Sequence, residues 1–135
     1  MAKRFTFWAG CAPIFLSLLR FMAGLLILEF GTMKILHFPY DDMFSKVPIF
    51  SLYWTAGAIE LVGGALVVVG LFTRCAAFVL SGEMAFAYFI EHAPRGFYPA
   101  LNGGLAAVLF CFVFLYLSAA GGGPWSLDRI LRRAS

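Results

Sequence analysis

From Ile49 to Phe72 the chain runs through apolar and small residues with Glu60 as its only charge. As a helix rising about 1.5 Å per residue, such a run crosses a hydrocarbon layer of about 30 Å. Three more apolar runs flank it, at about 13–36, 75–91 and 98–120. The first carries Arg20, Glu29 and Lys34, the third carries Glu83 inside it and Glu91 at its end, and the fourth has no charge. The intervening stretches Phe38–Pro48 and Glu91–Gly96 hold prolines and charges and read as loops, while Thr73-Arg74 is a tight connection. Open strands in lipid would leave backbone groups unpaired, so the runs are predicted to be helices.

Composition agrees. Of 135 residues, 62% are hydrophobic and 13% charged, against about 45–50% and about 25% for soluble domains. A soluble fold this small could not hide so much apolar surface. The expected fold is all-α, a transmembrane four-helix bundle forming a single domain over residues 1–135. The net charge of +3 comes from residues between the runs and at the termini, without a basic patch interleaved with exposed aromatics, so nucleic-acid binding is not expected. Cys11, Cys75 and Cys111 form no CxxC pair or zinc spacing and read as small core hydrophobes. Ala9-Gly10-Cys11 resembles a lipoprotein cleavage site, but only Phe5 to Trp8 separates it from Lys3 and Arg4, too short for a signal core of about 7–15 residues.

Charge placement sets the expected orientation. With four spans, Lys3, Arg4, Arg74, Arg129, Arg132 and Arg133 share one side, and only Lys46 and Arg95 lie on the other. The positive-inside rule makes the richer side cytoplasmic, with both termini there. After the stop at Gly121–Pro124, residues 125–133 form a short amphipathic tail. Its Trp125, Leu127, Ile130 and Leu131 suit the interface, and its arginines suit anionic headgroups.

Charges inside spans cost at least about 2.5–3.5 kcal/mol each and are expected to face the bundle. On the first span Arg20, Gly24, Ile27, Gly31 and Lys34 share a face, while Glu29 lies opposite, on a surface suited to lipid or a partner subunit. On the second, Gly57, Gly63 and Gly64 flank Glu60 as a small-residue packing stripe. Ala76 and Ala87 accompany Glu83, and Asn102, Ala106, Leu109 and Val113 share a side of the fourth run. By depth, Lys34 can reach Glu60, and Glu83 lies near the level of Arg20. These groups read either as ion pairs fixing helix register or as a proton-handling or ligand-lining set. His92 reads as a helix-end residue, and no metal site is expected from His37, Asp41 and Asp42.

Gly31-Thr32-Met33-Lys34, Ile59-Glu60-Leu61-Val62-Gly63-Gly64 and Gly70-Leu71-Phe72-Thr73-Arg74 resemble the DoxX family of small integral membrane proteins. So do His92 with Gly96-Phe97-Tyr98-Pro99, Asn102-Gly103-Gly104, and Pro124-Trp125-Ser126-Leu127-Asp128. The resemblance implies a multi-pass inner-membrane protein of bacterial type. Named members are linked to quinone-coupled sulfur oxidation or oxidative-stress complexes, as small hydrophobic partners. It places Lys34, Glu60, His92 and Asn102 on family motif positions, whereas Leu105 stands where members often have a carboxylate and Glu29 where they often have a histidine.

The expected function is a redox-linked accessory membrane subunit. A quinone is the candidate cofactor, and the bilayer, further copies or a membrane oxidoreductase are the candidate partners. A small proton-coupled transporter and a purely structural assembly protein are the alternatives, and no reaction is assigned to the chain itself. The topology predicts that reporters fused after Ser135 or near Arg74 read cytoplasm, while those at Asp42 or Arg95 read the outside. A periplasmic signal at Ser135 would overturn it.

Overall fold

A computed structural model describes residues 2–134, with side chains for 3–133. Six α-helices follow one another: α1 (Ala2–Ile35), α2 (Leu52–Val69), α3 (Thr73–Ala87), α4 (Pro99–Asn102), α5 (Leu105–Ala120) and α6 (Leu127–Ala134). A π-helical turn, Tyr88–His92, extends α3, and a 3-10 turn, Ala93–Arg95, follows it. Among the described residues there is no strand. Two helical segments, Lys3–Ile35 and Leu52–Val69, are long and apolar enough to cross a membrane, and Leu105–Ala120 is apolar but shorter.

The core is a thin seam of Ala23, Ile27, Val67, Ala76, Ala77, Leu80, Met84, Phe114 and Leu117. Large apolar side chains face outward along every long helix, among them Val62, Phe78, Phe86, Leu109 and Phe112, each more than half exposed. Contiguous apolar surface on this scale needs a cover, and a bilayer supplies one.

Helix α1 packs mainly on α2, and α3 on α5, with α2 and α3 joining the two pairs. Glycines let α1 and α2 approach to backbone contact. A Cβ on Gly31 would lie 2.5 Å from the Leu61 nitrogen, one on Gly24 2.8 Å from that of Val68, and one on Gly64 2.9 Å from Leu28 Cα. Gly63 does not share that face, since it meets the Leu80 side chain on α3. The glycine stripe therefore splits between two neighbours, because adjacent helical positions point about 100° apart.

The turn between α2 and α3 is capped from elsewhere in the chain. Gly70, at φ 74°, ends α2, with Leu71 N donating to Leu66 O at 2.9 Å and Gly70 N to Val67 O at 3.1 Å. Arg20 adds donors to the last carbonyls of α2, from Nη1 to Val67 O (2.7 Å) and Val68 O (2.6 Å). Its other nitrogens reach Gly122 O (2.8 Å) and Trp125 O (2.7 Å). Asp128 accepts from Phe72 N (2.8 Å) and Thr73 N (3.0 Å), closing the start of α3. A cation thus meets a helix C-terminus and an anion a helix N-terminus, the signs the helix dipole favours. Asp128 keeps a carboxyl value below the ordinary one: partial burial opposes ionisation, and the Thr73 and Phe72 N–H groups and the Arg132 charge outweigh it.

Three expectations need correction. The first helix starts at Ala2, well before residue 13, because Pro13 is accommodated inside it. The run 98–120 is not one helix, since Gly103 adopts φ 77° and the Asn102 side chain takes the Gly104 N–H at 2.8 Å, which separates α4 from α5. That break resets the helical phase. Ala106 and Leu109 are consequently exposed, and α5 buries Ala107, Phe114 and Leu117 instead.

The seam yields a stability prediction. Gly31→Ala should cost about 1–3 kcal/mol, because the new methyl meets backbone rather than a movable side chain. Gly82→Ala, where a Cβ meets nothing within 4 Å, should be neutral or stabilising by up to about 1 kcal/mol. Thermal unfolding in mild detergent checks both, and equal midpoints for the two variants would contradict the seam.

Candidate functional site

Near the end of α1, the register set by the glycines brings Lys34 over Gly57 and beside Glu60. Lys34 Nζ donates to both carboxylate oxygens of Glu60 at 2.9 Å. Both side chains are shielded, Lys34 at 10% and Glu60 at 2% exposure. The Phe44 ring lies 5.4 Å from Nζ and offers its negative face to the ammonium.

Glu83, from α3, completes a triad. Its carboxyl is in direct electrostatic and hydrogen-bonding reach of Glu60, and Oε2 is buried with no hydrogen-bond partner. Fully ionised, one ammonium and two carboxylates sum to −1. One proton shared by the carboxyls makes the cluster neutral and supplies the donor that two carboxylates facing each other lack.

The triad stands between two cavities. One, of about 420 Å³, opens between α2 and α3 and is lined by Lys34 and Glu83 together with apolar groups such as Leu52, Ile59, Phe78 and Phe86. The other, of about 330 Å³, lies towards the loops and is lined by Lys34, Glu60, Asp41, Glu91, His92 and Arg95 among others. Lys34, Tyr53, Ala87 and Glu91 line both.

His92 and Asn102 frame the loop end. Asn102 Nδ2 donates to Gly96 O at 2.9 Å and Tyr88 OH at 3.3 Å. His92 Nδ1 lies 3.2 Å from Asn102 O, and since a carbonyl only accepts, the ring proton sits on Nδ1. A Cβ on Gly104 would come within 2.8 Å of both Tyr88 and His92 ring-side atoms. The Asn-Gly-Gly step thus packs the start of α5 against the π-helical turn. Leu105, just beyond it, is exposed.

The remaining sequence candidates fall elsewhere. Arg20 is buried at the opposite end and spends its hydrogen bonds on backbone carbonyls, so Glu83 is paired with Glu60 and not with Arg20. Glu29 is exposed on the outer face of α1, as its helical angle indicates. His37, Asp41 and Asp42 do not converge; among the described residues no three His, Cys, Asp or Glu side chains are grouped to hold a metal. Sequence reasoning missed Phe44, Tyr53, Glu91 and Arg95 as cavity groups. They come from loops and helix ends, where periodicity says nothing about direction.

An all-helical chain with an outward apolar belt and a shielded charge cluster is a membrane-associated helical protein. The DoxX family model matches residues 15–93, and the chain belongs to the DoxX family. The match includes Lys34, Glu60 and Glu83 and stops short of Asn102 and the tail. An uncharacterized protein of Haemophilus influenzae is 42% identical over 120 residues, covering 86% of this chain and 90% of that one. No solved structure matches.

Proposed function

We propose that this protein is a four-helix, multi-pass inner-membrane subunit with cytoplasmic termini that takes a quinone-type molecule from the bilayer into the cavity between α2 and α3. It serves there as the membrane partner of an oxidoreductase. The observation that carries this reading is the wall of that cavity, where Lys34 and Glu83, with Tyr53, Thr55 and Glu91, meet a mainly apolar space of about 420 Å³. Ligand pockets of about 300–1,000 Å³ with few polar groups are the usual form of small-molecule sites.

The residues present fit such a group. Lys34 would offer its ammonium to a carbonyl oxygen, and the carboxyl of Glu83, which lines the same cavity, would donate to a ring oxygen when protonated. Phe78 and Phe86 add aromatic rings to the cavity lining. A bound quinone would supply two-electron, two-proton chemistry, with the electrons coming from the partner. Glu60 and Glu83 would hold the exchangeable proton beside the ring oxygen, and Lys34 would balance the remaining charge.

A second reading, proton-coupled transport of small apolar solutes, draws on the loop-side cavity. Its lining of Glu60, Asp41, Glu91 and His92 would connect the triad with water at that end. Both readings give the carboxyls a proton to exchange, and they differ in whether the ligand stays.

Gly82 lines the α2–α3 cavity, and a Cβ there meets nothing within 4 Å, so the first atom of a new side chain has room. Gly82→Leu should therefore fold normally and fill the cavity. Titration of the detergent-purified protein with a short-chain quinone is expected to show binding by the natural chain and at least about tenfold weaker binding by Gly82→Leu. Equal binding by both would place any quinone outside this cavity, and no binding by either would remove the quinone reading.

A further inference from the structure

At the end of the molecule away from the triad, a cavity of about 700 Å³ opens where the start of α1, the end of α5 and the start of α6 meet. Arg74, Arg129, Arg132 and Arg133 all line it, and no acidic residue does. Arg132 already faces the charge of Asp128, while Arg74, Arg129 and Arg133 add further cations around the same space, and an anion between them lowers their mutual repulsion. We infer that this cavity binds the phosphate of one anionic glycerophospholipid, with its acyl chains laid along the outer surfaces of α1 and α5. This inference is independent of the proposed quinone site.

The shape of the place matches such a lipid. Arg74 is exposed, and its hydrogen bond to the Ala119 carbonyl holds the guanidinium against the end of α5. Gly121 and Gly123, both at φ 82°, carry the chain past without side chains. A Cβ on Gly121 would already touch Arg74 Nη2 at 3.3 Å. Glycine at this corner therefore keeps both the space and the arginine geometry.

The apolar half is present as well. Leu16 and Tyr116 line the cavity on the α1 and α5 sides, so an apolar wall adjoins the arginines. The same two helices carry exposed Leu19, Phe112 and Leu115. Trp125, just before α6, and Ile130 and Leu131 on it face outward at 56–60% exposure beside the arginines. That combination of aromatic and aliphatic groups with cations belongs at the headgroup level. The single nearby carboxylate, Asp128, is turned to the Phe72 and Thr73 N–H groups and does not line the cavity.

The test uses the full chain, delipidated in mild detergent, and native mass spectrometry with added phosphatidylglycerol or phosphatidylcholine. The natural chain should retain one phosphatidylglycerol at concentrations where phosphatidylcholine is lost. Arg129→Gln/Arg133→Gln changes two exposed side chains, so its fold should survive, and its retention should fall about tenfold or more. Arg129→Lys/Arg133→Lys should retain most of the binding. Millimolar inorganic phosphate should compete only weakly, because it has no acyl chains. Equal retention of the two lipids, unchanged retention by the glutamine variant, or complete displacement by inorganic phosphate would each overturn the inference.

Discussion

The close approach of α1 to α2 is the constraint on which the other contacts depend. Gly24, Gly31 and Gly64 allow backbone to meet backbone along the seam, and the antiparallel register they fix does two things at once. It delivers Lys34 to Glu60 near one end and Arg20 to the last carbonyls of α2 near the other. In lipid, apolar side chains gain little by leaving the bilayer for each other, so small residues and polar contacts carry a larger share of helix association. A methyl group on Gly31 would push the two helices apart and lengthen both sets of contacts together.

The two ends use their buried charges differently. Arg20 is fully engaged with four carbonyls and binds the α2–α3 turn to the tail, which Asp128 ties down from the other side. Arg20 spends its hydrogen bonds within the fold. The Lys34 cluster has spare capacity, since a second carboxyl adjoins the pair with an oxygen left unsatisfied and cavities lie on both sides. A buried pair that served packing alone would be enclosed on all sides. This difference is why the proposed function rests on Lys34, Glu60 and Glu83 and not on Arg20.

Much of this was legible from residue order. Helical angles put Arg20, Gly24, Gly31 and Lys34 on one face and Glu29 on the other, and depth put Lys34 within reach of Glu60. Periodicity works there because α1 and α2 are regular. It failed where the backbone departs from the α-helix. Gly103 and Gly104 break the last run, so the phase counted from Asn102 assigned the wrong residues of α5 to the interior. The partner of Glu83 was missed because depth alone does not tell which neighbour a side chain faces. Asp128 was visible in the Pro124–Asp128 motif, but its role as a cap for α3 depends on a contact across 55 positions of sequence, which no local pattern encodes.

Lys34 and Glu60 form a shielded pair set in place by the seam. A double-mutant cycle on stability in mild detergent tests it directly, comparing Lys34→Met, Glu60→Gln and the two together. Removing the lysine alone strands two carboxyls, and breaking a buried pair costs about 3–5 kcal/mol. Lys34→Met should be clearly destabilised, and adding Glu60→Gln should recover a substantial part of the loss. Strictly additive losses in the double variant would contradict the pairing.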